Sequence, residues 1–247
     1  MDANLSTQLV ERTSFVSAKD VLKPNYMVVS GIRELDNLIS GFKSGEVTLI
    51  SGDSALVSNI PNQVCVNTYR TFRDSVVYID GGVCADPYRI SSYARAMELD
   101  AKEVLENILV SRAFTLHQLT SIIQDRLEDI IIRKSPRVLI VGSFPLLFFD
   151  SDVESKEAQV LLRSNLHKIK ELTKKYDLVT VFTNFGSSVL SNARDVRSIL
   201  FDGVDEVVLM KEGDLVTRVE ALKRGASATI LHLSRGQLQL SDFGLVM

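Results

Sequence analysis

The stretch "LISGDSALVSNIPNQVCVN", residues 49–67, decides the fold. Its apolar start indicates a buried strand, Gly52 a tight turn, and the remainder a short loop followed by a helix. A strand, a glycine-containing loop and a helix in this order are typical of a phosphate-binding site in α/β proteins. In this stretch, however, no second glycine follows Gly52 and there is no lysine. The sequence therefore predicts the scaffold of a nucleotide site without the residues that hold a nucleotide.

Apolar, β-branched runs recur through the chain and alternate with segments of helical period. The predicted strands are 46–52, 75–82, 107–113, 137–143 and 178–186, and the predicted helices are 31–39, 60–72, 87–99, 116–133 and 154–175. Such alternation predicts an α/β fold with a mostly parallel central sheet flanked by helices. After residue 202, period-two patterning with turn signals at 212–214 and 235–236 predicts antiparallel C-terminal strands. We expect an N-terminal arm over residues 1–25 and one core domain over residues 26–247.

The composition narrows the class of protein. The chain has 247 residues, of which 45% are hydrophobic and 24% are charged, with a formal net charge of -3. This balance is ordinary for a soluble globular protein and lacks the overall basic charge of a general nucleic-acid binder. Cys65 and Cys84 show no metal-ligand spacing, and no apolar run reaches the length of a membrane span. We therefore expect a soluble, intracellular protein with no metal site and no membrane association.

Several segments, in a fixed order, carry a family resemblance. They are "SGIRELDNLISGFKSGEVTLISG" (30–52), "VVYIDGGVCADPYRI" (76–90), "RVLIVGS" (137–143) and "VTVFTN" (179–184). Together they resemble the core of the RecA/RadA recombinase superfamily, archaeal RadA and its eukaryotic counterpart in particular, from about residue 15 to the C-terminus. The resemblance implies a RecA-like core, cytoplasmic in an archaeon or nuclear in a eukaryote.

The nucleotide-binding loop departs from the family's pattern, G-x-x-x-x-G-K-[ST]. In that pattern, backbone amides cradle phosphates, the lysine reaches the β- and γ-phosphates, and the hydroxyl binds magnesium. When the pattern is laid on residues 52–59, Gly52 matches the first glycine. Val57, Ser58 and Asn59 replace the second glycine, the lysine and the hydroxyl residue. The loop therefore has no cation to face a triphosphate.

Two further positions of the family's chemistry are also replaced. Gly82 stands where the resemblance places the glutamate that polarises the attacking water, and Gly142 where it places the aspartate that holds magnesium through water. Phosphoryl transfer depends on positioning and charge neutralisation, to which each of these groups contributes. The resemblance therefore implies a pseudo-ATPase with no catalytic residues, and we expect neither ATP nor magnesium as a cofactor.

The regions that would contact DNA in the family are also changed. The first, residues 144–157, is rich in acids, which would repel phosphates. The second, residues 185–203, keeps Arg194 and Arg197, and Lys223 and Arg224 follow among the late strands. These four residues are candidate DNA contacts, and the alternative is that they are ordinary surface charges.

The N-terminal arm contains Phe15-Val16-Ser17-Ala18, which matches the F-x-x-A motif of the recombinase family. In that family, the Phe and the Ala fill two pockets on a neighbouring core while the backbone extends its sheet. The resemblance implies that Phe15 and Ala18 dock on a RadA-type recombinase or another paralogue, and the same arm could form a homo-oligomer. The alternative is that Phe15 packs on its own core.

The leading hypothesis is a catalytically inactive recombinase paralogue that modulates filament assembly in homologous recombination and DNA repair. Two alternatives remain open at this stage. One is a non-enzymatic scaffold subunit of an unrelated heteromeric complex, since a fold alone does not fix function. The other is a weak ATPase with an atypical site.

Overall fold

The computed structural model describes residues 25–149, 153–186 and 194–231. Phe15 and Ala18 of the F-x-x-A motif and the turn signal at 235–236 lie outside these ranges. Within them, no helix has both the length and the apolar character needed to cross a membrane.

One large sheet organises the described part of the chain. The strands are β1 (Met27–Val28), β2 (Phe42–Lys43), β3 (Val47–Gly52), β4 (Val76–Asp80), β5 (Ile108–Arg112), β6 (Val138–Gly142), β7 (Val179–Phe185), β8 (Glu206–Glu212), β9 (Val216–Ala221) and β10 (Ala226–Leu231). The main sheet has the order β10-β9-β8-β3-β7-β6-β4-β5, while β1 and β2 pair as a separate antiparallel ribbon. The six neighbouring strands β8, β3, β7, β6, β4 and β5 are parallel to one another. Strands β9 and β10 extend the sheet beyond β8, and each is antiparallel to its neighbour. The predicted fold class is confirmed.

The helices lie between the strands. They are α1 (Arg33–Ile39), α2 (Leu56–Phe72), α3 (Pro87–Ala96), α4 (Ala101–Glu106), α5 (Leu116–Ser121), α6 (Leu127–Lys134), α7 (Ser155–Lys175) and α8 (Arg194–Gly203). A π-helical turn, Ile122–Arg126, joins α5 to α6, and a 3₁₀ turn, Leu146–Phe149, follows β6. The predicted helix over 116–133 is confirmed as a helical segment, and the π-helical turn at its centre is a detail that periodicity does not reveal.

Helix α2 begins earlier than predicted, at Leu56 rather than at residue 60. Pro61 lies inside this helix, although proline is expected near a helix start. By contrast, the predicted start of α3 is confirmed. Pro87 is its first residue, and the Asp86 carboxylate accepts hydrogen bonds from the amides of Tyr88 and Arg89.

Two apolar cores cover the two faces of the sheet. Successive residues of a strand point to opposite faces and therefore enter different cores. Leu139 lies in the core beneath α5 to α8, and Ile140 lies in the core beneath α1 to α4. The apolar run 144–149 belongs mostly to the first core. Phe144 and Phe148 are buried, and the Phe144 ring stacks on Phe182 with 4.4 Å between centroids. These two side chains therefore stabilise the interior.

Candidate functional site

The loop after β3 lies against β8. Gly52 has a φ of +155°, and a Cβ at this residue would lie 1.8 Å from the Met210 carbonyl oxygen, so only glycine fits. The next amide, of Asp53, donates to the same oxygen at 3.3 Å, and the Asp53 carboxylate accepts from the Glu212 amide at 2.9 Å. The loop is therefore fixed to the neighbouring strand.

The amides at the start of α2 have acceptors within the protein. The Leu56 amide donates to the Ser54 hydroxyl at 3.3 Å, and the Val57 amide donates to the Ser54 carbonyl at 3.0 Å. Ser54 is itself buried, with its hydroxyl 3.2 Å from that of Thr217. In a phosphate-binding loop such amides point at the ligand. Here two of them are engaged in the loop's own hydrogen bonds.

The three replaced positions on α2 have different environments. The Val57 side chain is fully buried in the core beneath α1 to α4, so the helix uses it for packing. Ser58 is half-buried and carries no charge. The Asn59 amide oxygen accepts from the Arg89 guanidinium, whose Nε also lies 3.2 Å from an Asp86 carboxylate oxygen. Arg89 was not identified as a site residue from the sequence.

The position of Gly82 lies against Ser143. A Cβ at residue 82 would lie 2.5 Å from the Ser143 hydroxyl oxygen and 2.6 Å from its Cβ. Ser143 is held there because its amide donates to the Thr183 hydroxyl at 3.1 Å and its own hydroxyl lies 3.0 Å from the Cys84 sulfur. The side chain of Ser143 therefore occupies the space that a side chain at residue 82 would need.

The position of Gly142 lies against Tyr78. A Cβ at residue 142 would lie 2.9 Å from Cε2 of the Tyr78 ring and 3.1 Å from its hydroxyl oxygen. That hydroxyl is buried and has no hydrogen-bond partner among the described residues, and burial raises the pKa of Tyr78 well above its ordinary value. Tyr78 and Ser143 were both missed as site residues. Tyr78 stands in an apolar strand motif, and nothing in the sequence indicates that its ring reaches residue 142.

The buried carboxylate of Asp80 shapes the loop after β4. It accepts from the Gly82, Cys84 and Ala85 amides at 3.3, 2.8 and 3.3 Å. The guanidinium of Arg112 lies 3.3 Å away and neutralises it. This carboxylate is therefore fully engaged by the protein itself, and it is oriented toward the loop.

The four candidate DNA contacts lie on two parts of the fold, helix α8 and the turn between β9 and β10. Arg194 and Arg197 are exposed on α8, with the Arg197 guanidinium 5.0 Å from the centre of the Phe201 ring. At the other end of this helix, the Lys223 ammonium donates to the Val204 carbonyl.

The remaining candidate, Arg224, pairs with a buried acid. Its Nε lies 3.0 Å from a Glu206 carboxylate oxygen, and the side chain of Glu206 is 4% exposed. The amide of Lys223 donates to the same carboxylate at 3.0 Å. The contacts of Lys223 and Arg224 thus hold the β9–β10 turn to β8.

Among the residues that the structure describes, no group of three or more His, Cys, Asp or Glu side chains could hold a metal ion.

Comparison with known proteins decides the family. The Rad51 family model matches residues 23–203, which contain most of the sheet and the loop after β3. The chain belongs to the Rad51 family. This finding confirms the resemblance to the RecA/RadA recombinase superfamily.

Two curated relatives show how far the similarity extends. The chain is 30% identical over 169 residues to the "DNA repair and recombination protein RadA" of Metallosphaera sedula, covering 64% of this chain and 52% of that protein. It is 26% identical over 224 residues to the "Meiotic recombination protein DMC1 homolog" of Lilium longiflorum, covering 78% of this chain and 64% of that protein. The chain thus spans between about half and two thirds of the length of these relatives and is homologous to recombinases of DNA repair.

Proposed function

We propose that this member of the Rad51 family is a catalytically inactive paralogue that regulates an active recombinase. The observation that supports the proposal is that neighbouring side chains fill the space beside Gly82 and Gly142. Ser143 and Tyr78 occupy the space in which a glutamate and an aspartate would stand in a working site. Without these carboxylates and without a lysine at residue 58, the site lacks the groups that neutralise charge during phosphoryl transfer.

The proposed partner is a RadA-type recombinase or another recombinase paralogue. Phe15 and Ala18 would enter two pockets of the partner core, and the intervening backbone would extend its sheet. Aromatic anchors in pockets supply much of the affinity in such interfaces. Through this contact, a subunit that does not respond to ATP would modulate filament assembly in homologous recombination.

The test is capture of the host's own recombinase by the full chain. The wild type is compared with Phe15→Ala/Ala18→Glu and with Ser17→Ala, a control substitution inside the same motif, each with and without ATP. We expect capture by the wild type and by Ser17→Ala, and loss of capture in the double variant. ATP should not change the amount captured.

Two outcomes would overturn the proposal. If none of the three proteins captures the recombinase, a scaffold role in an unrelated heteromeric complex is favoured. If all three capture it equally, the arm is not the docking element. Circular dichroism of each variant verifies that the core is folded.

A further inference from the structure

Helices α7 and α8 lie side by side on one face of the sheet, and an open groove of about 810 Å³ runs between them. Each helix connects two parallel strands, α7 from β6 to β7 and α8 from β7 to β8, so the two helices run in the same direction. They approach closely at Leu166, because a Cβ at Gly203 would lie 2.1 Å from Cδ2 of this leucine. The buried side chains of Leu166 and Ile199 line the groove from below. The groove therefore has an apolar floor between two packed helices.

The two walls of the groove carry opposite charges. The ionisable side chains that line it are Arg163, His167 and Lys170 on α7 and Asp195 and Asp202 on α8. The Lys170 ammonium lies 3.1 Å from a carboxylate oxygen of Asp205 in the same chain. Arg163 is exposed and, within residues 25–149, 153–186 and 194–231, forms no ion pair. Asp195 and Asp202 likewise form none there, and each accepts a hydrogen bond from an uncharged side chain. A guanidinium thus faces outward on one wall and two carboxylates on the other.

This arrangement is complementary to itself. A two-fold axis along the groove, parallel to the helices, places α7 of one copy on α8 of the other and keeps every residue at its own level along the axis. The Gln159 amide nitrogen lies 3.5 Å from an Asp195 carboxylate oxygen, so these two residues share one level. From that level, Arg163 lies about 6 Å farther along α7 and Asp202 about 10 Å farther along α8, at about 1.5 Å per residue. Arg163 of one copy therefore meets α8 of the other between Asp195 and Asp202.

A second copy fits the groove better than other occupants do. A nucleic acid would bring its phosphates against the carboxylates of α8, which repel them. A partner helix with one type of charge would be attracted by one wall and repelled by the other. The second copy instead presents one guanidinium to two carboxylates on each side of the axis, and a guanidinium has enough donors to bind both.

We propose that two copies of this chain associate through the α7–α8 groove about a two-fold axis. Such an interface uses the same surface on both chains and closes at two chains. Across it, Arg163 of each copy pairs with Asp195 and Asp202 of the other. The inference does not depend on the proposed binding of a recombinase, because the interface does not involve Phe15 or Ala18.

Sedimentation equilibrium of the full chain, between about 1 and about 100 μM, measures this association. Arg163→Glu reverses the charge of the α7 wall, and Asp195→Lys/Asp202→Lys reverses the charge of the α8 wall. The matched control is Lys174→Glu, which makes the same charge change at an exposed residue of α7 outside the groove. Circular dichroism of each variant verifies that the core is folded.

We expect the wild type and Lys174→Glu to form dimers. Each wall variant alone should have a dissociation constant raised about a hundredfold, because like charges then face each other on both sides of the axis. An equimolar mixture of the two wall variants should restore the dimer, since each reversed wall then faces an opposite charge. Phe15→Ala/Ala18→Glu should form dimers as the wild type does.

Four results would overturn the inference. The first is a wild type that stays monomeric at about 100 μM. The second is a dimer that neither wall variant weakens, and the third is a mixture of the wall variants that remains monomeric. The fourth is loss of the dimer in Phe15→Ala/Ala18→Glu, which would assign the association to the N-terminal arm.

Discussion

Gly82 and Ser143 lie so close that a Cβ at residue 82 would be 2.5 Å from the Ser143 hydroxyl oxygen. Ser143 has a positive φ of 50° and is held by Thr183 and Cys84. Ser143, the first residue after β6, therefore occupies the space beside Gly82, the second residue after β4. Restoring a glutamate to such a site requires more than one substitution, because the neighbour must first move.

Substituting Gly82 should destabilise the protein through this clash. We expect Gly82→Glu and the Cβ-only variant Gly82→Ala each to lower the free energy of unfolding by about 1–3 kcal/mol, as overpacking does. In a Ser143→Gly background the cost should fall, because both close atoms are removed and glycine suits a positive φ. Urea unfolding of the four proteins of the Gly82→Ala/Ser143→Gly cycle measures the coupling. Equal costs in the two backgrounds would show that Ser143 is not the obstacle.

Removing the Tyr78 hydroxyl should cost little. This hydroxyl is buried without a partner among the described residues, so Tyr78→Phe removes an unsatisfied polar group, and we expect a change between zero and about 1 kcal/mol of stabilisation. The matched control is Tyr26→Phe, since the Tyr26 hydroxyl lies 2.8 and 2.7 Å from the Arg137 and Asp177 carbonyl oxygens. That variant should lose about 1 kcal/mol. Similar losses in both variants, measured by urea unfolding, would contradict the environment described for Tyr78.

Restoring the loop glycine should also destabilise the fold. Val57 is fully buried, so Val57→Gly leaves a cavity and places glycine in a helix, for an expected loss of about 3 kcal/mol. Ser58→Gly changes the next residue of the same helix and should show only the propensity cost of about 0.5 kcal/mol. Thermal unfolding of both variants provides the comparison. A Val57→Gly protein as stable as Ser58→Gly would mean that Val57 does not contribute to the core.

The surface cluster around Glu128 predicts a dependence on pH. Hydrogen bonds from Lys168, Lys175 and Tyr176 lower the pKa of Glu128 from 4.5 to about 2. A carboxyl group whose pKa is lower in the folded state stabilises the protein above its unfolded pKa, and this contribution disappears as the pH falls from 4.5 toward 2. The melting-temperature difference between wild type and Glu128→Gln should therefore be larger at neutral pH than near pH 2, and salt should reduce it.

Glu106→Gln provides the control for this measurement. Glu106 is an exposed acid 3.8 Å from Lys102 on the same helix, an arrangement that contributes little to stability. Its melting-temperature difference from wild type should change little with pH. If the melting-temperature difference of Glu128→Gln also changes little with pH, the cluster does not stabilise the folded state.

The sequence contained enough information for the strands of the parallel sheet. Fully apolar runs such as 137–143 mark strands that are buried on both faces, and the observed strand, Val138–Gly142, lies within that range. Helix boundaries were harder to place, because the helical period indicated a start of α2 at residue 60, whereas the helix begins at Leu56, whose amide is bonded within the preceding loop.

The site could be predicted only in part. The departures from the family's pattern at Gly82 and Gly142 could be predicted from the sequence, but their neighbours Ser143 and Tyr78 could not, because Tyr78 and Gly142 meet through the pairing of β4 with β6. In the same way, the sequence suggested Arg224 as a candidate DNA contact and did not indicate a partner for it. The fold brings it to Glu206, which is eighteen residues away in the sequence. Contacts between distant residues depend on strand order and register, which local patterns do not specify.

Equilibrium binding of ATP with magnesium to the wild-type full chain, followed by a turnover assay, tests the central claim most directly. We expect no saturable binding up to about 1 mM nucleotide, which corresponds to less than about 4 kcal/mol of binding free energy, and no phosphate release above background. Micromolar binding with turnover that is lost in Ser58→Ala would contradict the claim, and it would identify the protein as a weak ATPase with an atypical site.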